Sequence, residues 1–351
     1  MTSFTSAPSV LFDQKDTTTH WGKFEGRVTD ANILNCVGLY SDNQLNNKRL
    51  KEWQAFQLGD GNRFVCGALY NAKQFAVIAI SYYDRATGQH YLYKKFVSPK
   101  DLTIANGTLP SVSFYHKSGL HFYIQRDESG ENTDISVHWP RAKLGFGSSS
   151  LPALSLEARM TEKSDGMSIC QPFQKGRPLY SYKNLAPAKV EVKLDSHRIL
   201  QTAPFAGILD DHKGFYPRYV NYDWGTAGGY VNGKLLGFNL TRNQIKTPEK
   251  YNENCLWLDG KIYSLPAIEV NHIQKKDPSD KGCWHYKDKT GMVDLIFNQD
   301  VANTVKVNLG FKFIDYQGPY GGFTGHIFHP EVGRVEFDNM LGMAERKRYK
   351  L

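Results

Sequence analysis

Cysteine is scarce in this chain of 351 residues and never clustered. The five, Cys36, Cys66, Cys170, Cys255 and Cys283, are odd in number and form no C-x-x-C pair. That spacing speaks against a structural zinc site and a disulfide framework, and it suits a reducing, cytoplasmic setting. No apolar run approaches the roughly 20 residues that cross a bilayer as a helix. The opening MTSFTSAPSVLFDQKDTTTHW lacks the basic start and apolar core of a secretion signal, so none is expected. There is no glycine-rich phosphate loop, no G-x-S-x-G elbow and no activated-cysteine signature, and no cofactor is expected. The histidines form no ligand set. His326 and His329 fall on opposite faces of a strand, and His116 and His121 only straddle a turn at Gly119, so no metal is expected either.

The net charge is +8, from 43 Lys and Arg against 35 Asp and Glu. The basic residues are spread along the chain apart from Lys48 to Lys51 and Arg346 to Lys350, and neither group belongs to a nucleic-acid module. The expectation is a solvated basic face with no nucleic-acid partner, and at most a weak attraction to anionic lipid surfaces.

What the chain has in abundance is alternation. Phe64–Tyr70 and Phe75–Tyr83 read as paired strands across Asn71–Gln74, and His90–Val97 resumes after a hairpin turn at Asp84–Gly88. Ser111–Tyr115, Leu120–Arg126 and Thr133–Trp139 repeat the pattern, with turns at Lys117–Gly119 and Glu128–Gly130. A second series begins near Lys189 and includes Lys234–Thr241, Asn254–Leu258 and Lys261–Leu265, the last two joined by the hairpin signal Asp259-Gly260. Strands recurring about every ten residues predict an all-β protein of two antiparallel barrel or sandwich units. The one helix expected is Leu45–Phe56, on the spacing of Leu45, Leu50, Trp53 and Phe56. Prolines at 172, 178 and 187 place the boundary near residue 185, giving units 1–185 and 186–351.

Chemistry-bearing side chains concentrate in Ile208–Tyr230, ILDDHKGFYPRYVNYDWGTAGGY. Read as one extended segment, Phe215–Trp224 puts Tyr216, Arg218, Tyr222 and Trp224 on one face, with Asp211 and His212 just before it. If that face looks into a barrel, Arg218 is held among aromatics and a buried Asp211 acts as acid or base. The alternative is structural: Arg218 pairs with Asp211 or Glu253 and pins the units together. Of the neighbours Glu253 and Asn254 only one can face a given cavity, and Glu253 is favoured. Glu345 is either an inward carboxylate or a solvent residue leading into the basic Arg346–Arg348. The block Tyr316, Pro319, Tyr320, Gly321, Gly322 and Phe323 reads as a cavity wall or as a bulged hairpin.

These motifs carry a resemblance. Asn47–Trp53, the block from Asp211-His212-Lys213-Gly214 to Gly229, Glu253-Asn254 with Asp259-Gly260, and the ending Leu341–Glu345 are similar to the bacterial domain-of-unknown-function 2804 family, from about residue 30 onward. The resemblance implies a lipocalin-like double β fold, remotely akin to AttH-like proteins, carotenoid hydratases, tocopherol cyclases and fungal cyclases of the Diels–Alderase type. Asp223 departs from the aromatic-Asn-Trp pattern expected there.

Three functions fit. The first is an enzyme acting by general acid/base catalysis, an isomerase, hydratase or cyclase, on a lipophilic small molecule in a barrel cavity. Asp211, Glu253 and Tyr216 would be catalytic, with Arg218, Trp224, His212, Tyr320 and Phe323 binding substrate. The second is a non-catalytic carrier of a hydrophobic ligand. The third is a carbohydrate-active enzyme using Asp211 and Glu253 as its carboxylate pair.

Overall fold

Alternation becomes strand almost throughout. In the computed structural model 68% of the chain is strand and 3% helix, far from the usual third of helix. The structure describes residues 3–13, 18–36, 47–143, 150–162, 164, 166–173, 177–195, 197–198, 204–273, 282–308, 310 and 313–350. Among them no helix is long and apolar enough to cross a membrane.

The first sheet is nearly closed and barrel-shaped. Two antiparallel meanders, Lys51–Gly59 to Gln89–Val97 and Ser111–Lys117 to Pro178–Leu194, are joined by Phe205–Gly214, which pairs with Lys51–Gly59 on one side and Pro178–Leu194 on the other. Its lumen is filled by Phe56, Ile78, Ile80, Phe122, Val137, Leu156 and Leu209, all at most 1% exposed. The second sheet is also antiparallel and has the 18-residue strand Gly333–Lys350 near its middle. That strand pairs with Tyr219–Val231 on one flank, and with Tyr320–His329 and then Phe313–Gln317 on the other. Phe238, Leu295, Phe297 and Phe323 fill its interior.

Two expectations fail here. Leu45 and Asn46 of the expected helix lie outside the described residues, residues 47–49 form one short helical turn, and Lys51–Gly59 is a strand. Lys51, Trp53 and Ala55 are half-buried on one face while Glu52, Gln54 and Phe56 are buried on the other. The three-residue spacing of Leu50, Trp53 and Phe56 fits a helix by coincidence, and strand pairing on both flanks decides the matter. The chain also leaves the first sheet at residues 215–218, not near 185. Leu185 lies inside the 17-residue strand Pro178–Leu194. Pro187 is tolerated there because the strand changes partners around it: Met167–Pro172 pairs up to Lys183, and Leu154–Thr161 pairs from Ala188. The missing N–H falls in that gap.

The sheets meet through side chains packed on bare backbone. Gly228 and Gly237 are cross-strand partners. A Cβ at Gly228 would lie 2.7 Å from Leu185 Cδ1, and one at Gly237 2.9 Å from Leu185 Cδ2. Met167, Leu185, Ala206 and Ile208 of the first sheet thus join Cys255, Trp257 and Ile262 of the second in one apolar cluster.

Candidate functional site

Strand parity on Phe205–Gly214 sorts its charged residues. Phe205 and Leu209 point into the first barrel, whereas Ala206 and Ile208 point at the second sheet. Asp211 follows the first set and Asp210 and His212 the second. Asp211 meets Arg126 (Nη1–Oδ2 3.1 Å), whose Nε reaches Glu162 at 3.1 Å. Glu162 also accepts from Thr133 at 2.9 Å, Asn184 at 2.8 Å and Tyr182 at 2.8 Å. Its burial is outweighed by Arg126 and Arg27, which hold it below the usual carboxylate range. This is a buried network in the barrel wall, in which Arg126 Nη2 and Asp211 Oδ1 have no hydrogen-bond partner among the described residues.

On the other face, side chains of both sheets converge on a recessed cleft. Lys183 Nζ stands 2.5 Å from Asp210 Oδ1 and 3.6 Å from Glu253 Oε2. Trp53 Nε1 donates to the other Asp210 oxygen at 3.1 Å, and Gln171 Nε2 donates to Glu253 at 3.3 Å. Burial disfavours the Lys183 charge, but Asp210 and Glu253 outweigh it and hold the pKa above the ordinary lysine value. Burial pushes Glu253 up, with Lys183 opposing and Asp210 adding to the shift. His212 stacks on Trp53 at 3.7 Å between ring centres, and its Nε2 lies 2.7 Å from the Tyr216 hydroxyl. Burial, then Lys183, Lys347 and Lys213, drive its pKa far below 6.5, so the ring is neutral. It accepts the phenol proton as the Nδ1–H tautomer and donates to the phenol oxygen as the other.

The facing wall comes from the second sheet. Tyr222 donates to Glu345 across the register pairs of Tyr219–Val231 with Gly333–Lys350. Burial raises the Glu345 pKa against the opposition of Lys347 and Tyr222. Trp224 donates from Nε1 to Asn239 at 2.6 Å and lies under Lys183, 5.2 Å from its ring centre. Lys347 sits 5.4–5.9 Å from the ring centres of Tyr70, Tyr222, Tyr316 and Tyr349. Trp53, Tyr70, Tyr216, Tyr222, Trp224, Tyr316, Glu345 and Lys347 are all half-buried although protein surrounds them, as in a cleft that admits small molecules.

Of the residues singled out in the sequence, His212, Tyr216, Trp224 and Glu253 come together in this cleft, and Glu345 is inward. Five others do not join them there. Asp211 is turned into the first barrel, on the opposite strand face from Asp210, so Asp211 and Glu253 do not form a carboxylate pair across one cleft. Arg218 is exposed: Phe215–Arg218 is a bend between strands, which breaks the alternation assumed for it. The guanidinium that Asp211 meets is Arg126. Phe323 is core, edge-on to Phe238 at 5.0 Å. Tyr320, 2% exposed, packs between the sheets against Phe64 at 5.1 Å and His90 at 5.6 Å. Asp223 serves the interior of the second sheet, meeting Arg242 at 2.7 Å and His272 at 2.7 Å. Sequence reasoning missed Trp53, Lys183, Asp210 and Lys347. Only Asp210 had a usable signal, its shared parity with His212. Among the described residues no group of three His, Cys, Asp or Glu side chains is placed to hold a metal ion.

Comparison with solved structures gives fold relatives. One is CghA, in a crystal structure with Sch210972: TM-score 0.54, 11% identity, 87% of this chain and 89% of that one. Another is kievitone hydratase from Nectria haematococca, with TM-score 0.51, 11% identity and 93% of this chain against 97% of that one. Curated proteins yield no match to the sequence. A family model described as "Domain of unknown function (DUF2804)" matches residues 6–351, and the chain belongs to that family.

Proposed function

We propose that the inter-sheet cleft is the active site of an enzyme that moves protons on a lipophilic small molecule, by hydration, isomerisation or cyclisation. One observation carries this reading: two carboxyl groups driven toward their neutral form, Glu253 and Glu345, share a cleft with a neutral His212–Tyr216 pair. Titratable groups pushed apart in this way form an acid and a base at one pH. Glu345, coupled to Tyr222, is the proton donor. On the opposite wall the His212–Tyr216 pair takes a proton from the substrate or from the water that adds to it, so that the proton given by Glu345 is matched by one removed, and Trp53 and Trp224 hold the apolar body of the substrate. Chemistry of this kind needs only positioned acids and bases. The name of kievitone hydratase, a fold relative, points the same way.

The test starts from small molecules that the purified protein retains, identified by mass spectrometry and then incubated with it in D2O. Deuterium uptake at carbon is expected with the natural protein, and a loss of at least about 100-fold in Glu345→Gln, the usual scale of a positioned acid. A retained ligand that takes up no deuterium would overturn catalysis and favour the carrier.

A further inference from the structure

Two lysines in the cleft have no anionic partner at contact distance. Lys51 Nζ is bonded to the Tyr349 hydroxyl at 2.8 Å and lies 4.4 Å from the centre of that ring. Lys347 Nζ lies 5.8 Å from the same ring and otherwise faces tyrosines. Among the described residues neither ammonium has a carboxylate within 4.0 Å, whereas Lys183 has both Asp210 and Glu253. The remaining carboxyl group, Glu345, is bonded by Tyr222 and is itself driven toward neutrality. The cleft therefore holds two ammoniums that share one aromatic ring and have no carboxylate in contact; burial lowers the Lys347 pKa, with the more distant Glu345 opposing the shift.

Aromatic side chains lead from this point to the surface. Trp53 lies 5.9 Å from Tyr70, Tyr70 6.0 Å from Phe75, and Phe75 6.3 Å from Phe96. Phe96 is 69% exposed on the edge strand Gln89–Val97, so the row of rings runs from the His212 stack to solvent. Phe96 thus ends the row of rings at the solvent.

We propose that the ligand of the cleft is a lipophilic small molecule with one acidic oxygen group, seated as its anion between Lys51 and Lys347, its apolar body along Trp53, Tyr70, Phe75 and Phe96. This rests on the proposed function for the location of the site and adds the charge and orientation of what enters it. A desolvated ammonium pair gains more from an anion than exposed lysines do, because little water screens the interaction. Burial, then Lys347, lowers Lys51 to about 8, so an anion that arrives also relieves the repulsion between the lysines.

Two dyes that differ in one group provide the test: 1-anilinonaphthalene-8-sulfonate, an anion, and N-phenyl-1-naphthylamine, the same ring system without the sulfonate. Fluorescence titration of the full chain at pH 7 is expected to show both bound. Lys347→Met and Lys51→Met should each weaken the sulfonate at least tenfold and change the neutral dye less than twofold. In the natural protein the sulfonate's affinity should fall as pH rises from 7 to 9, where Lys51 loses its proton, while the neutral dye's stays flat. Phe96→Ala, a surface change, should slow association of both dyes. Sulfonate binding that is indifferent to both lysine variants, or a flat pH profile with the neutral dye bound, would overturn this inference alone. Failure of both dyes to bind the natural protein would overturn the proposed function with it.

Discussion

Asp210 and Asp211 are adjacent in sequence and belong to different parts of the molecule. One peptide step turns the first toward Lys183 and the cleft and the second toward Arg126 and the barrel wall. Arg126 is 1% exposed and the point of contact for two carboxylates. Arg126→Met is expected to cost about 3–5 kcal/mol in urea denaturation, because buried Asp211 loses its cation and Glu162 keeps only Arg27. Arg218→Ala, in an exposed bend, should stay within about 0.5 kcal/mol of the natural protein. Equal effects of the two substitutions would contradict the assignment of the buried guanidinium. Residue by residue, the sequence showed that Ile208–Tyr230 is rich in chemistry, and His212, Tyr216 and Trp224 do reach the cleft. It misplaced Arg218 because alternation was carried through Pro217, where the strand in fact bends. Lys183 and Lys347 were illegible for another reason: the partners of Lys183 lie 27 or more positions away, and of the rings around Lys347 only Tyr349 is near in sequence, so no local pattern displays the set.

At the scale of the element, the close approach of the sheets depends on what Gly237 lacks. A Cβ there would fall 2.6 Å from the Ala227 carbonyl oxygen and 2.9 Å from Leu185. The first contact is with backbone and cannot be relieved by a rotamer change. Gly237→Ala should therefore destabilise by about 1–3 kcal/mol, the scale of overpacking, and lower the thermal midpoint by several degrees. A midpoint unchanged or raised would mean that the sheets are not in such contact. The hairpins were the most legible elements: Asp259-Gly260 has φ of 52° and 85°, the left-handed pair that a two-residue turn requires. Lys51–Gly59 was the least legible, since one face is half-buried around Trp53 and the other fully buried, which blurs a two-residue period into a three-residue one.

For the whole molecule, the buried ionisable groups set the response to alkali. Burial raises Cys36 to about 11 and Cys66 and Cys255 to about 12, from 9.0, and drives Cys170 well above 9.0 as well. Above pH 9 the unfolded chain releases these protons while the folded chain keeps them, so stability falls as pH rises. Lys23 and Lys51, lowered by burial from 10.5 to about 8, act in the opposite sense between about 8 and 10.5, and burial lowers Lys94 and Lys347 as well. Above about pH 10.5 the unfolded lysines lose their protons too and the opposition fades, whereas the four thiols and tyrosines such as Tyr82, raised to about 12, still hold theirs in the folded chain. The urea midpoint is expected to drop between about pH 10.5 and 11.5; a midpoint rising over that interval would refute the account. The shared cluster of Leu185, Ile208 and Trp257 further implies one unfolding transition, with tryptophan fluorescence and far-UV dichroism coinciding. Two separated transitions would show that the sheets unfold independently.

The strand Gly333–Lys350 is central in its sheet and is made after the strands it joins. Glu345, Lys347 and Tyr349 leave the ribosome after nearly every residue they meet, and both flanks of their strand wait for it. A chain made only as far as Ala344 has the first barrel but neither the acid nor the ammonium of the facing wall. Interrupted translation at that point leaves residues 219–224 and Phe313–Gln317 without the strand that lies between them, edges open to proteases and chaperones.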